Sequence, residues 1–251
     1  MDSSPRYRWH STPVTLALTL LGAGAWIMLV VPGMAREPAM MLSLPGFLSM
    51  WTVMVAAMML PSVAPLGSRY VRMIPASAWV GLVAFLAGYL VVWAAIGVLA
   101  YLLAWGVGAA AIASQAGATA AAVILYLVCG LYQFTPLKNA CLAQCRAPLA
   151  LLLCYAAWRG RSRHVRVGLH HGLYCAGCCW PLMALMVLFG MMNLTAMLIL
   201  TVITTVEKVG ATGLLVPRLV GVACLALALA TIWIPALAPS LIMPATMDMA
   251  M

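Results

Sequence analysis

Apolar residues run along this chain in blocks too long for a soluble core. The blocks 14–31, 45–64, 77–103, 112–135, 168–191, 195–215 and 219–238 approach or exceed the roughly 20 residues an α-helix needs to cross the hydrocarbon core of a bilayer, and polar residues gather between them. Ten-residue segments of alternating polarity, the mark of a membrane β-barrel, are not visible. Only helices and closed barrels satisfy their backbone hydrogen bonds in lipid. The pattern therefore predicts an all-α, polytopic membrane helix bundle of about seven transmembrane helices, one integral membrane domain over 1–251. The third block is long enough to tilt or project beyond the membrane. The Ala- and Gly-rich fourth block leaves its outer boundary open. The stretch 147–158 is too short to span and is expected to be interfacial or re-entrant, within a basic, cysteine-containing loop at 136–167.

Composition agrees with the pattern. Hydrophobic residues make up 66% of the chain and charged residues 7%, against roughly 45–50% and 25% in soluble domains. Charge adds a direction. In a seven-span arrangement Arg6, Arg8, Arg69, Arg72, Lys138, Arg146, Arg159, Arg161, Arg163, Arg166 and Arg218 share one side, and only Arg36, beside Glu37, falls on the other. Loops rich in Lys and Arg stay cytoplasmic, so the N-terminus is expected inside and the C-terminus in the periplasm, across the inner membrane of a bacterium. The net charge of +9 is then a topology anchor beside anionic headgroups, with no nucleic acid partner needed. The first apolar run continues to Val31, past the usual core of a signal peptide, and is kept as a span.

The chemistry is carried by sulfur. The chain has eight cysteines and nineteen methionines. In HHGLYCAGCCW (His170–Trp180), His171, Cys175, Cys178 and Cys179 follow the spacing of one helical face, extended by Met183 and Met186. Pro181 deprives the Gly177 carbonyl of its helical partner, and such a break is tolerated in a membrane only inside protein or beside a cavity. The second block repeats Met50, Met54 and Met58, with Met59 alongside. Thioethers suit Cu(I), and methionine also simply fills cores. Glu207 and Lys208 sit in the apolar sixth block. An ionisable residue there needs an interior partner; for Lys208, reaching back to the cytoplasmic headgroups is the alternative. Cys141 and Cys145 share a helical face, with Lys138 and Arg146 nearby to favour the thiolate. The tail adds Met243, Met247, Met249 and Met251 over 239–251, as outer ligands or as a frayed end. There is no Gly-rich phosphate loop, HExxH or Gly-x-Ser-x-Gly motif. Four acidic residues are too few for a carboxylate-built metal centre.

Five stretches, in order, form a specific set: WTVMVAAMMLPS (51–62), GLYQFTPLKNACLAQCRAPL (130–149), GLYCAGCCWPLM (172–183), GMMNLTAM (190–197) and EKVGATG (207–213). From the second block on, the chain resembles a bacterial family of unknown function described as predicted metal-binding integral membrane proteins. That resemblance implies metal binding and leaves the reaction open. The positions that fit its motifs are Met54, Met58, Met59, Lys138, Cys141, Cys145, Cys175, Cys178, Cys179, Glu207 and Lys208.

The expectation is a soft-metal protein of the inner membrane, with Cu(I) favoured and Zn compatible. Cys175, Cys178 and Cys179 would hold the ion, His171 and the methionines would admit or release it, and Cys141 and Cys145 would exchange it at the cytoplasmic face. Lys138 and Lys208 would compensate charge, and Glu207 would compensate charge or move a proton. Its partners would be the bilayer and a metallochaperone or periplasmic metal acceptor. The rival expectations are a membrane thiol–disulfide oxidoreductase and a membrane metalloenzyme or its assembly factor. Met54→Leu, which nearly conserves volume, should cost less than about 1.5 kcal/mol of stability. Weaker copper retention in that variant at unchanged melting temperature would make the methionine stripe a ligand set, and unchanged retention would make it packing.

Overall fold

The structure, a computed structural model, describes residues 13–30, 43–74, 78–146, 153–155, 158, 160, 162–191, 193–210, 213–234 and 237. These residues are largely helical, with no strand among them. The helices are α1 (Pro13–Val30), α2 (Leu44–Met73), α3 (Ala78–Ala113), α4 (Gln115–Tyr132), α5 (Pro136–Arg146), α6 (Arg163–Ala184), α7 (Met186–Phe189), α8 (Leu194–Val209) and α9 (Leu215–Trp233). The Met-rich tail, most of the 147–158 stretch, and Arg6, Arg8, Arg36, Glu37, Arg159 and Arg161 lie outside the described residues.

Five stretches are long and apolar enough to cross a membrane: α2, α3 from Trp79, α4, α6 continued through α7 to Phe189, and α9. The apolar α1 and the 16-residue α8 are shorter. α1 occupies the first predicted block almost residue for residue. α3 runs ten residues past the predicted end at 103, because Ala is the strongest helix former and nothing in WGVGAAAIA stops it. Ser114 alone separates α3 from α4. Its backbone is extended and its hydroxyl accepts from Gly117 N at 2.9 Å, capping α4.

α2 also overruns its predicted end, continuing through Pro61 and Pro65 to Met73. Each interior proline strips a hydrogen bond from the carbonyl four residues earlier. At Pro61 that carbonyl is Ala57, and Trp26 of α1 donates its indole N–H to it at 3.1 Å. At Pro181 the carbonyl is Gly177, and the Tyr132 hydroxyl donates to it at 2.5 Å. The freed carbonyl predicted at Gly177 is thus the docking point of the end of α4 on α6.

α6 is the central helix and packs on α3, α4, α5 and α8. Gly168 permits its close approach to α3, since a Cβ there would overlap the Phe85 carbonyl. α1 packs on α2, and α4 on α9. Exposed Leu215, Leu219, Val222, Leu229 and Ile232 give α9 an apolar outer face, as expected of a helix facing lipid.

Tyr132→Phe removes the only side-chain donor to the Gly177 carbonyl among the described residues. An unpaired buried polar group costs about 1–3 kcal/mol, so a lower melting temperature in detergent is expected. An unchanged melting temperature would mean that the proline break is satisfied some other way.

Candidate soft-metal site

The site begins where α8 stops. Its last helical residue is Val209, and Gly210 takes an extended conformation, its N–H bonding to the Val206 carbonyl at 2.8 Å. The last carbonyls of a helix have no intrahelical partner; here Glu207 and Lys208 are buried, while Val209 and Gly210 are half-buried. Cys175 lies 12 residues beyond Arg163, about 18 Å along α6 at 1.5 Å per residue, and Lys208 in the final turn of α8 reaches it. The Lys208 ammonium therefore lies well inside the bundle.

α5 closes the end of α8. Lys138, Cys141 and Cys145, at i, i+3 and i+7, lie on one face of it. Lys138 is fully buried and its Nζ bonds to Glu207 Oε2 at 2.8 Å. It also donates to Gln133 Oε1. Arg146 donates from Nε to the Glu207 carbonyl at 2.7 Å and from Nη1 to the Gly213 carbonyl at 2.5 Å. A cation at a helix C-terminus neutralises the partial negative charge of the free carbonyls. Both ends of α5 are thus fixed to the last turn of α8.

That fixation brings sulfur together from several helices. Cys145 Sγ stands 3.9 Å from Cys178 Sγ. The Cys178 and Cys179 thiols both donate to the Cys175 carbonyl, at 3.1 and 2.9 Å. Cys175 Sγ is 3.0 Å from the Tyr89 hydroxyl and 3.1 Å from Lys208 Nζ. The same ammonium donates to Met59 Sδ at 3.2 Å. Helices α2, α3, α5, α6 and α8 all contribute, and Cys175, Cys178, Cys179 and Met59 are essentially inaccessible.

The predicted residues therefore fall into two sets. Met59, Cys145, Cys175, Cys178 and Lys208 meet, with Cys179 back-bonded beside them. Lys208 lies in the interior, so its alternative of reaching the headgroups is not taken. Cys141 packs on Gly177, where a Cβ would come within 2.7 Å of its Sγ. His171 stacks against Tyr89, with ring centroids 6.1 Å apart and planes 25° apart, and its Nδ1 has no partner. Met54 and Met58 are buried in α2. The sequence reading has the three cysteines of α6 converge; the structure pairs Cys178 with Cys145 and Cys175 with Lys208, because on one helix the thiols of Cys178 and Cys179 turn back onto the Cys175 carbonyl. Among the described residues no three His, Cys, Asp or Glu side chains come together as a metal-holding group.

Tyr89 and Gln133 belong to the site and were not singled out by sequence reading. A tyrosine within an apolar block is a signal in itself, since a buried hydroxyl needs a partner. Gln133 stands in the turn between α4 and α5, where nothing in the local pattern points inward. Two metal–sulfur bonds of about 2.3 Å meeting at about 110–120° separate the sulfurs by about 3.8–4.0 Å. Cys145 and Cys178 already stand at that separation. Glu207 Oε1, Gln133 Nε2 and His171 Nδ1 are buried without partners, a condition that in native structures marks strain, a missing ion or water, or function.

A family model named PpoB2 and described as copper chaperone matches residues 48–231. The chain belongs to this copper chaperone family. The match runs from α2 into α9 and includes every residue of the sulfur cluster and of the Lys138–Glu207 pair. α1 and the Met-rich tail lie outside it. No curated protein and no solved structure matches the chain. Membership gives the protein a copper-related role, in keeping with the metal-binding resemblance seen in its motifs.

Removing one partner of a buried ion pair leaves an uncompensated charge, at a cost of about 3–5 kcal/mol. Lys138→Met should therefore lower the melting temperature of this copper chaperone family member strongly, and Lys138→Met/Glu207→Gln should recover much of the loss. Additive losses in the double variant would show that the two groups are not coupled.

Proposed function

We propose that this chain is a membrane-embedded copper chaperone that takes Cu(I) as cargo and passes it to an acceptor through the interior of the bundle. The observation that carries the proposal is the 3.9 Å approach of Cys145 to Cys178, with the buried sulfurs of Cys175, Cys179 and Met59 close by. Thiolate and thioether ligands select Cu(I) over Mg, Ca or Mn. Zinc takes thiolates too, but usually with four donors of the Cys, His and carboxylate classes, and thioethers do not serve it as they serve copper.

In this reading the helices cross the inner membrane seven times, α1 and α8 being the short crossings, with the N-terminus cytoplasmic and the C-terminus periplasmic. α5 tucks in from the cytoplasmic side, so Cys145 is where the ion enters or leaves and Cys175, Cys178 and Cys179 hold it deeper. Met59 stands across Lys208 from Cys175, and His171 lies one turn nearer the cytoplasmic end of α6. Lys208 occupies the place between Cys175 and Met59 with a positive charge of its own, and moves aside when the cargo carries that charge instead. Glu207, held by Lys138, keeps one carboxylate oxygen free for a proton released by a thiol.

Anaerobically purified protein should retain Cu(I), and Cys175→Ser/Cys178→Ser/Cys179→Ser should lose the central copper while keeping its helicity. Copper uptake into vesicles then separates passage across the membrane from delivery on one side. Protein that takes up no copper, yet loses two thiols reversibly on mild oxidation, would instead be a thiol–disulfide oxidoreductase.

A further inference from the structure

The central cluster leaves two buried cysteines unused. Cys129 on α4 and Cys224 on α9 are both reduced, both 4% exposed or less, and their sulfurs stand 3.7 Å apart. We propose that Cys129 and Cys224 form a second, two-sulfur site for Cu(I) in the α4–α9 interface, distinct from the central cluster. The choice of Cu(I) rests on the copper-handling reading above; the site itself rests on the geometry of the pair.

Three observations support it. First, the separation is within about 1 Å of the roughly 4.6 Å that two thiolates span across one ion held in line at about 2.3 Å per bond. It is also near the 3.9 Å of Cys145 and Cys178. Second, the helices are built to meet here. A Cβ on Gly130 would come within 3.1 Å of the Gly221 carbonyl, and one on Gly221 within 2.6 Å of the Phe134 ring. Bare glycines therefore let α4 and α9 touch, next to Cys129 and one turn before Cys224. Third, a polar group stands beside the pair. Gln133 stands one turn beyond Cys129, four residues along the chain. It is 1% exposed and its amide nitrogen has no hydrogen-bond partner. That nitrogen is a ready donor to a thiolate.

Gln133 also joins the pair to the main site, since its carbonyl oxygen accepts from Lys138, which holds Glu207. Binding replaces two S–H bonds with two Cu–S bonds, and two protons leave for each ion bound. The oxidation state of copper does not change.

The test is anaerobic titration of full-length protein in detergent with Cu(I), competed against a chelator of known affinity. Wild type should bind two ions per chain. Cys129→Ser/Cys224→Ser should bind one, and the triple serine variant of α6 should bind the other. Helicity and gel-filtration profile check that each variant is folded. A second measurement needs no variant: alkylation of the buried pair by N-ethylmaleimide is followed at a temperature where the apo protein opens, and Cu(I) should slow it at Cys129 and Cys224, read by peptide mass spectrometry. Full copper binding in Cys129→Ser/Cys224→Ser, or alkylation unaffected by copper, would overturn the proposal. So would a Cys129–Cys224 disulfide formed reversibly under mild oxidation with no copper bound there. Loss of binding in the α6 triple variant alone bears on the central site and leaves this one standing.

Discussion

The end of α8 sets the terms for everything around it. A helix that stops against its neighbours leaves carbonyl groups without intrahelical partners, and each one buried and unmet is costly. In this chain a second helix meets them from the side. Arg146 takes the Glu207 and Gly213 carbonyls, and Lys138 takes the Glu207 carboxylate. α5 is too short, at 11 residues, to be stable in isolation; its position comes from these bonds and from packing on α6. Because α5 is held there, Cys145 lies against Cys178. The electrostatic need of one helix end is what assembles the thiols.

The same constraint operates at the prolines. Pro61 and Pro181 free carbonyls, and Trp26 and Tyr132 occupy them. Each repair comes from a different helix, so breaks in one element fix the position of another. Among the described residues the polar points of the interior include two freed carbonyls, one ion pair, and a chain of sulfur contacts ending at the Lys208 ammonium. A soft cation is suited to such a place, since it binds donors that are themselves nearly apolar.

Much of this was legible from the chain. The long apolar blocks locate the helices, and the charge in the sixth block correctly marks Glu207 as buried and in need of a partner. Boundaries were less legible where the end signal was weak or overruled: α3 continues because alanine does not stop a helix, and α2 runs on through Pro65 to Met73. Tyr89 and Gln133 could not be assigned roles in advance because their partners come from other helices. The pairing of Cys178 with Cys145 was hidden for the same reason. Spacing on α6 shows which cysteines share a face, but not that two of them turn back onto the Cys175 carbonyl. Membership of the copper chaperone family then adds a copper-related role, where the donor set alone leaves copper and zinc open.

The most direct measurement is X-ray absorption at the copper edge on full-length protein loaded anaerobically with Cu(I). Wild type and Cys145→Ser are compared in the Cys129→Ser/Cys224→Ser background, so that only the central site reports. The account predicts a first shell made of sulfur, with one sulfur fewer in Cys145→Ser. A shell of nitrogen and oxygen, or one that is identical in the two proteins, would contradict it.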